Sequence, residues 1–144
     1  MKDINLIVTS CGGNGAVEGN PARGITVIKN GEVFRYFSTD GEPTGITKIG
    51  KRPLVAIDNE YRWVNSETGE LEDAIKTSDT LEFRENHTIL FNEHELRLYV
   101  ADARNNMVNI YSYDGTMFKL IGNLELYKNL NKEYDSIHIN CVAM

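Results

Sequence analysis

This chain is poor in the features by which small proteins most often declare a chemistry. It has 2 cysteines in 144 residues, Cys11 and Cys141, which make neither a disulfide framework nor a cysteine-based zinc site. Its 3 histidines, His87, His94 and His138, show no HxxxH or HxH spacing, so each reads as structural or exposed rather than as a metal ligand. No serine sits in a GxSxG elbow,. No apolar run approaches the roughly 20 residues of a membrane helix. The opening residues Met1-Lys2-Asp3-Ile4 carry no secretory apolar region or cleavage pattern,. The expectation is a cytoplasmic protein with no membrane partner. Positive charge is also scarce: 15 Lys and Arg against 21 Asp and Glu give a formal net charge of −6. That balance argues against a DNA or RNA polymer as partner, while leaving room for a local basic pocket for a small anion.

What the chain does have is short apolar runs punctuated by turn residues. An apolar fraction of 41% and a charged fraction of 25% are ordinary for a globular protein,. A length of 144 residues suits one domain with its own core, so 1–144 reads as a single β domain,. Ile4–Ser10, Gly24–Lys29 and Glu32–Ser38 read as strands, with Asn30-Gly31 as the hairpin between the last two,. Gly45–Ile49 is a short strand turned by Lys51-Arg52-Pro53, and Leu54–Ile57 is a buried run. Tyr61–Asn65 is a strand followed by the hairpin Ser66–Gly69. Glu70–Lys76 is ambiguous: periodicity allows a short helix, position asks for a return strand,. Thr88–Phe91 and Glu95–Val100 pair around Asn92-Glu93-His94.

The stretch Leu98–Gly122 is the most legible. Leu98–Ala101 is an apolar strand, Asp102–Asn106 a polar corner, and Met107–Ser112 an alternating strand. Asp114-Gly115 makes a tight hairpin, and Met117–Ile121 returns and stops at Gly122,. Beyond it, Leu124, Tyr127 and Leu130 lie at helical spacing, which predicts a short helix near 124–132,. Ser136–Met144 alternates Ile137, Ile139 and Cys141 and reads as a final strand.

Leu98–Gly122 resembles the NHL-type repeat of β-propellers, whose pattern runs strand, "VAD..NNRV", strand, "DG", strand. VAIDNEYRWVNSETGEL is more distantly similar to a blade of gluconolactonase-type six-bladed propellers. The same grammar recurs internally, with Val8, Val55 and Val100 spaced 47 and 45 residues apart, close to the ~40–50 residues of a four-stranded blade. The fold class expected is all-β and antiparallel, with about three propeller-like four-stranded blades. Those blades are 1–38 plus 136–144, 45–77, and 87–122. Three blades do not close easily. The blade split between the termini predicts a six-bladed ring by homodimerisation, the last strand of one chain completing the first blade of another. The competing fold is a plain antiparallel sheet or sandwich of nine to twelve strands whose repeats are hairpin grammar alone.

The family resemblance implies that ligands gather on the face bearing Cys11–Arg23, Asp58–Glu60 and Asp102–Asn106, together with the loops that lead into the next blade. The loop Cys11–Arg23 holds four glycines and a proline in thirteen residues, where its counterparts are only a few residues long. Gly12, Gly13, Asn14 and Gly15 allow a backbone nest for an anion, with Asn20 beside them and Arg23 as a bidentate cation. The run is neither a P-loop nor a dinucleotide fingerprint, and a plain surface loop is the alternative. Asp58, Asn59, Arg84, Asn86, Arg104 and Asn105 complete the candidate binding set.

Carboxylate and Asn ligands around a divalent ion, as the gluconolactonase resemblance implies, would involve Asp58, Asn59, Asp102 and Asn105. The first repeat offers only Cys11 or Gly12 at the matching position, so polar corners held by side-chain to backbone bonds are the simpler account. No catalytic residue, metal site or cofactor is therefore assigned. The leading expectation is a non-enzymatic protein that captures an anionic small molecule such as a nucleotide, in the manner of phage-encoded sponges for nucleotide signals. The alternatives are a metal-dependent, lactonase-like hydrolase and a protein-interaction propeller module.

Overall fold

The structure is a computed structural model and describes residues 6–10, 23–39, 41–58, 60–65, 67–78 and 86–125. All regular elements in these residues are strands. They are β1 Leu6–Ser10, β2 Gly24–Lys29, β3 Glu32–Ser38, β4 Pro43–Ile49, β5 Arg52–Ile57 and β6 Glu60–Val64. There follow β7 Leu71–Ala74, β8 Lys76–Thr77, β9 Asn86–Asn92, β10 Arg97–Asp102, β11 Met107–Tyr113 and β12 Met117–Glu125. They form a three-stranded sheet β1-β2-β3, a four-stranded sheet β4-β5-β6-β7 and a five-stranded sheet β9-β10-β11-β12-β8. We call these sheets A, B and C. Every pairing is antiparallel except the short parallel contact of β8 with β12. Among the described residues, no helix is long and apolar enough to cross a membrane.

The chain is all-β, as its turn signals predict. Asn30 and Gly31 both take left-handed backbone, φ 55° and 83°, as a two-residue hairpin between right-twisted strands requires. In the β11–β12 turn only Gly115 is left-handed, φ 98°. Asp114 acts instead through its carboxylate, whose Oδ1 accepts bonds from the N–H of Thr116 and of Met117 at 2.8 and 2.9 Å.

Several sequence expectations need correction. The turn before β5 is Gly50-Lys51, with Gly50 at φ 60°. Arg52 and Pro53 already pair with Ile49 and Lys48 inside the strand. Of the two readings left open for Glu70–Lys76, the return strand is the one formed: Leu71 pairs with Val64 and Ala74 with Arg62, so β6 imposes extended backbone on a segment with helical spacing. The third strand does not stop at Gly122. It runs on to Glu125, with Leu124 opposite Val108 and Glu125 opposite Met107. The helix expected near 124–132 is therefore contradicted at its first two residues, because the N–H and C=O groups of β11 find their partners there. The remaining residues of that helix, and the final strand 136–144, lie outside the described residues.

The sheets are stacked in the order A, B, C. Leu54, Ala56, Tyr61 and Trp63 of sheet B pack on Ile89, Phe91, Leu98, Val100, Tyr111 and Phe118 of sheet C. The opposite face of sheet B supplies Val55, Ile57 and Val64, which meet Ile25 of sheet A. This is why Leu54-Val55-Ala56-Ile57 is continuously apolar: a strand buried on both faces cannot alternate. β4 and β9 run against one another without pairing. A Cβ on Gly45 would lie 2.9 Å from the Ile89 nitrogen and 3.0 Å from the His87 oxygen. The Thr47 hydroxyl receives the Phe91 N–H at 3.1 Å, and Thr44 Oγ1 donates to the Asn86 carbonyl.

Candidate functional site

The strand ends place the polar corners at one end of the stack. There Arg23 Nη2 stands 2.9 Å from Glu42 Oε1. Glu42 exchanges bonds with Asp58: the Glu42 N–H donates to Asp58 Oδ1 at 2.8 Å and the Asp58 N–H to the Glu42 carbonyl at 3.0 Å. Asp58 is held at φ 46°, a left-handed position that Asp tolerates better than most residues. Asn86 Nδ2 then reaches back from sheet C to the Asp58 carbonyl at 3.1 Å. Asn86 itself stands opposite Asp102 across β9 and β10. These contacts form one line from sheet A through sheet B to sheet C.

At its far end the line becomes buried. Asp102 is 0% exposed. Its Oδ1 accepts the Asn105 N–H at 3.2 Å, and its Oδ2 accepts Asn105 Nδ2 at 2.8 Å and Asn109 Nδ2 at 3.3 Å. Asn109 faces Val100 across β10 and β11. Val100 and Asp102 are two residues apart on one strand, so Asn86, Asp102 and Asn109 share the face of sheet C that carries its core. They form a polar row that ends the apolar face made by Leu98, Tyr111 and Phe91.

The side-chain oxygens of Asn86, Asn106 and Asn109 are buried and accept no hydrogen bond from the described residues. Asn86 and Asn109 are 2% and 0% exposed. A buried acceptor left without a donor costs about 1–3 kcal/mol, so three together call for a donor that the described chain does not supply.

Of the residues predicted as a site, Arg23, Asp58, Asn86 and Asn105 are brought into this one line of contacts. Arg104 is exposed at the β10–β11 corner beside it. Gly12, Gly13, Asn14, Gly15, Asn20, Asn59 and Arg84 lie outside the described residues. Asp102, a polar-corner residue in the sequence as well as a possible metal ligand, uses its oxygens to hold that corner and the neighbouring strand. Among the described residues no group of three or more His, Cys, Asp and Glu side chains converges. Sequence reasoning missed Asn109, although the signal is there: it is the polar member of the alternation Met107, Asn109, Tyr111, and Tyr111 on that face packs in the core.

No protein-family model matches the chain, and no curated protein matches it in sequence.

Proposed function

We propose that this chain is a non-enzymatic binding protein that captures a small anionic molecule of the nucleotide class at the polar end of its sheets. The observation that carries the reading is the set of buried, unsatisfied carboxamide oxygens of Asn86, Asn106 and Asn109 beside Asp102. Such oxygens select a ligand that brings N–H or O–H donors, as a nucleobase edge or a ribose does. The exposed guanidinium of Arg104, and that of Arg23 at the other end of the line, supply positive charge at the rim for phosphate. Arg23 would exchange its ion pair with Glu42, which is exposed on both partners and therefore cheap to replace. The Gly12–Gly15 segment with Asn20, Asn59 and Arg84 belongs to the same proposal.

The three stacked meanders support a finer reading of the fold as propeller-type blades, with this end as the ligand-bearing face that the NHL resemblance implies. In that reading β4 and β9 are the inner strands of their blades, and the partner is a second copy of the chain.

Calorimetric titration of the purified protein with a panel of nucleotides tests the function. Chromatography of the recovered ligand then shows whether it has been altered. Binding of an unchanged nucleotide is expected, weakened about tenfold by Arg104→Ala, since a bond to a charged group contributes ~1.5–3 kcal/mol. Turnover of the nucleotide, or heats no larger than dilution across the panel, overturns it.

A further inference from the structure

The faces that sheets A and B turn toward each other follow from register. Residues directly opposite on paired strands share a face, and side chains alternate along each strand. On sheet A, Ile25 packs on Val55, Ile57 and Val64 of sheet B, with Ile7 against the same cluster. Val27, two residues on from Ile25, pairs with Ile7. It also points at sheet B, because a Cβ on Gly69 of the β6–β7 turn would lie 3.1 Å from its Cγ2. Lys29 is the next residue in that row, and its Nζ crosses to sheet B to donate to the Glu67 carbonyl at 2.7 Å. On sheet B, Val55 pairs with Ile46 and Pro53 with Lys48, so all four face sheet A. Thr47, between Ile46 and Lys48, turns the other way, its hydroxyl receiving the Phe91 N–H of sheet C.

Around Ile25 and Val55 the two faces touch. Toward the hairpins Asn30-Gly31 and Gly50-Lys51, at the end of the stack away from the polar corners, they bound a cavity of about 620 Å³. That volume is within the ~300–1,000 Å³ of small-molecule sites. Ile7, Val27, Ile46 and Pro53 give it apolar walls, and Lys29 and Lys48 line it as well. Lys29 ends β2 and Lys48 is the last residue but one of β4, so their ammonium groups stand at the hairpin rim. The charge on this pair is not neutralised. Arg35 and Arg52, at the same end, are paired with Glu70 and Glu72. Among the described residues neither lysine has a carboxylate within ion-pair distance. The Glu67 carbonyl and the Phe34 ring, whose centroid is 4.0 Å from Lys29 Nζ, orient that ammonium without cancelling its charge.

The geometry points to a second binding site, between sheets A and B, for a free aliphatic carboxylate: its hydrocarbon chain fills the cavity and its head meets Lys48 and Lys29 at the rim. The walls select the chain, since each methylene moved from water onto them gains about fourfold in affinity. The two unneutralised ammonium groups select the sign of the head. Lysine suits such a rim because its stem lies along an apolar wall while its head stays in water. The described lining contains no carboxamide, so the body of the ligand needs no hydrogen-bonding edge. This separates the site from the row of Asn86, Asp102 and Asn109 at the opposite end of the stack. The inference rests neither on the nucleotide reading nor on the blade reading.

Equilibrium dialysis of the full chain against hexanoate, octanoate and decanoate, each below its micellar concentration, tests the site. Decylamine is the control of equal chain length and opposite charge. Affinity is expected to rise about fifteenfold for each pair of added methylenes, and decanoate is expected to bind more tightly than decylamine. Lys48→Glu is expected to weaken decanoate about tenfold, by removing one exposed attraction and adding a repulsion, and to narrow its advantage over decylamine. Lys48 is exposed and its side chain makes no hydrogen bond among the described residues, so the variant should keep the wild-type far-ultraviolet spectrum. Methyl resonances of Ile7, Val27 and Ile46 should shift with decanoate while those of Leu98 and Val100 stay in place. No retention of decanoate, equal affinity for hexanoate and decanoate, equal affinity for decanoate and decylamine, or shifts confined to other methyls each overturns the inference. The dialysis and resonance arms use the wild type alone and decide the matter even where Lys48→Glu does not fold. Decanoate binding by a protein that retains no nucleotide leaves this site standing and removes the nucleotide proposal.

Discussion

Two single residues carry local costs that the surrounding fold imposes, and each yields a prediction. Leu96 closes the β9–β10 turn at φ 51° with more than half of its side chain exposed. A leucine held left-handed costs about 1–2 kcal/mol and recovers little here by burial. The turn is otherwise well made, since Asn92 Oδ1 accepts the N–H groups of His94 and Glu95 at 3.0 and 3.3 Å. Leu96→Gly should therefore stabilise the protein by about 1 kcal/mol, after allowing for glycine's larger unfolded-state entropy, and urea denaturation reads that directly. Gly45 is the opposite case. Its missing Cβ is what lets β4 lie on the backbone of β9, and the atoms in the way are main-chain atoms that have no rotamer to change. Gly45→Ala should destabilise by ~1–3 kcal/mol, the usual penalty of overpacking. An unchanged denaturation midpoint would mean that β4 and β9 stand further apart than described.

At the scale of elements, the β11–β12 hairpin shows how one carboxylate fixes a turn. The N–H groups of Met117 and Thr116 and the Thr116 hydroxyl all donate to Asp114 and hold its carboxyl below the usual value of 3.8. The folded value lies below the unfolded one, so the ionised form steadies the turn at pH above about 4, and that support fades as pH falls through the depressed folded value. Carboxyl chemical shifts followed from pH 6 to pH 2 should show Asp114 titrating lower than a model aspartate. In Asp114→Ala the amides of Thr116 and Met117 should exchange faster at neutral pH.

The same hairpin shows what sequence makes legible. Asp-Gly and Asn-Gly locate turns because the left-handed residue must be one of very few types, and alternation locates strands because the pleat has period two. The endings were not legible in the same way. β12 continues through Gly122 because β11 still offers partners, with an irregularity between Ile110 and Tyr111 taking up the extra residue. β7 forms because β6 is there to receive it. Both are decided by a neighbouring strand rather than by the segment's own spacing. The site divides likewise: Asp58, Asn86 and Asn105 are readable as polar corner residues, whereas the burial of Asn109 and Asp102 depends on which face of sheet C meets sheet B.

At the scale of the whole molecule, stability should be graded across the stack. Sheet B packs against a neighbouring sheet on each of its faces, and its two interfaces are unequal. The side toward sheet C joins Tyr61, Tyr111 and Phe118 edge to face, with ring centroids 5.6–6.4 Å apart, and adds Trp63, Leu54 and Leu98 to the same cluster. The side toward sheet A rests on aliphatic contacts of Ile25 with Val55, Ile57 and Val64, supported by Ile7 and Leu71, and on exposed polar links such as Lys29 Nζ to the Glu67 carbonyl at 2.7 Å. Aromatic side chains bury more area each and gain about 0.5–1.5 kcal/mol per favourable pair beyond it, so the B–C interface should open last. Leu54→Ala, which empties space at that interface, should cost ~2–5 kcal/mol, while Val33→Ala on the outer face of sheet A should stay within about 0.5 kcal/mol. Native-state hydrogen exchange resolves the grading by element: the amides of β5, β6, β10 and β11 should exchange only with global unfolding, and those of β2 at lower free energy through local opening. Equal protection of β2 and β10 would mean that the aliphatic interface holds as strongly as the aromatic one, and the graded picture would fail.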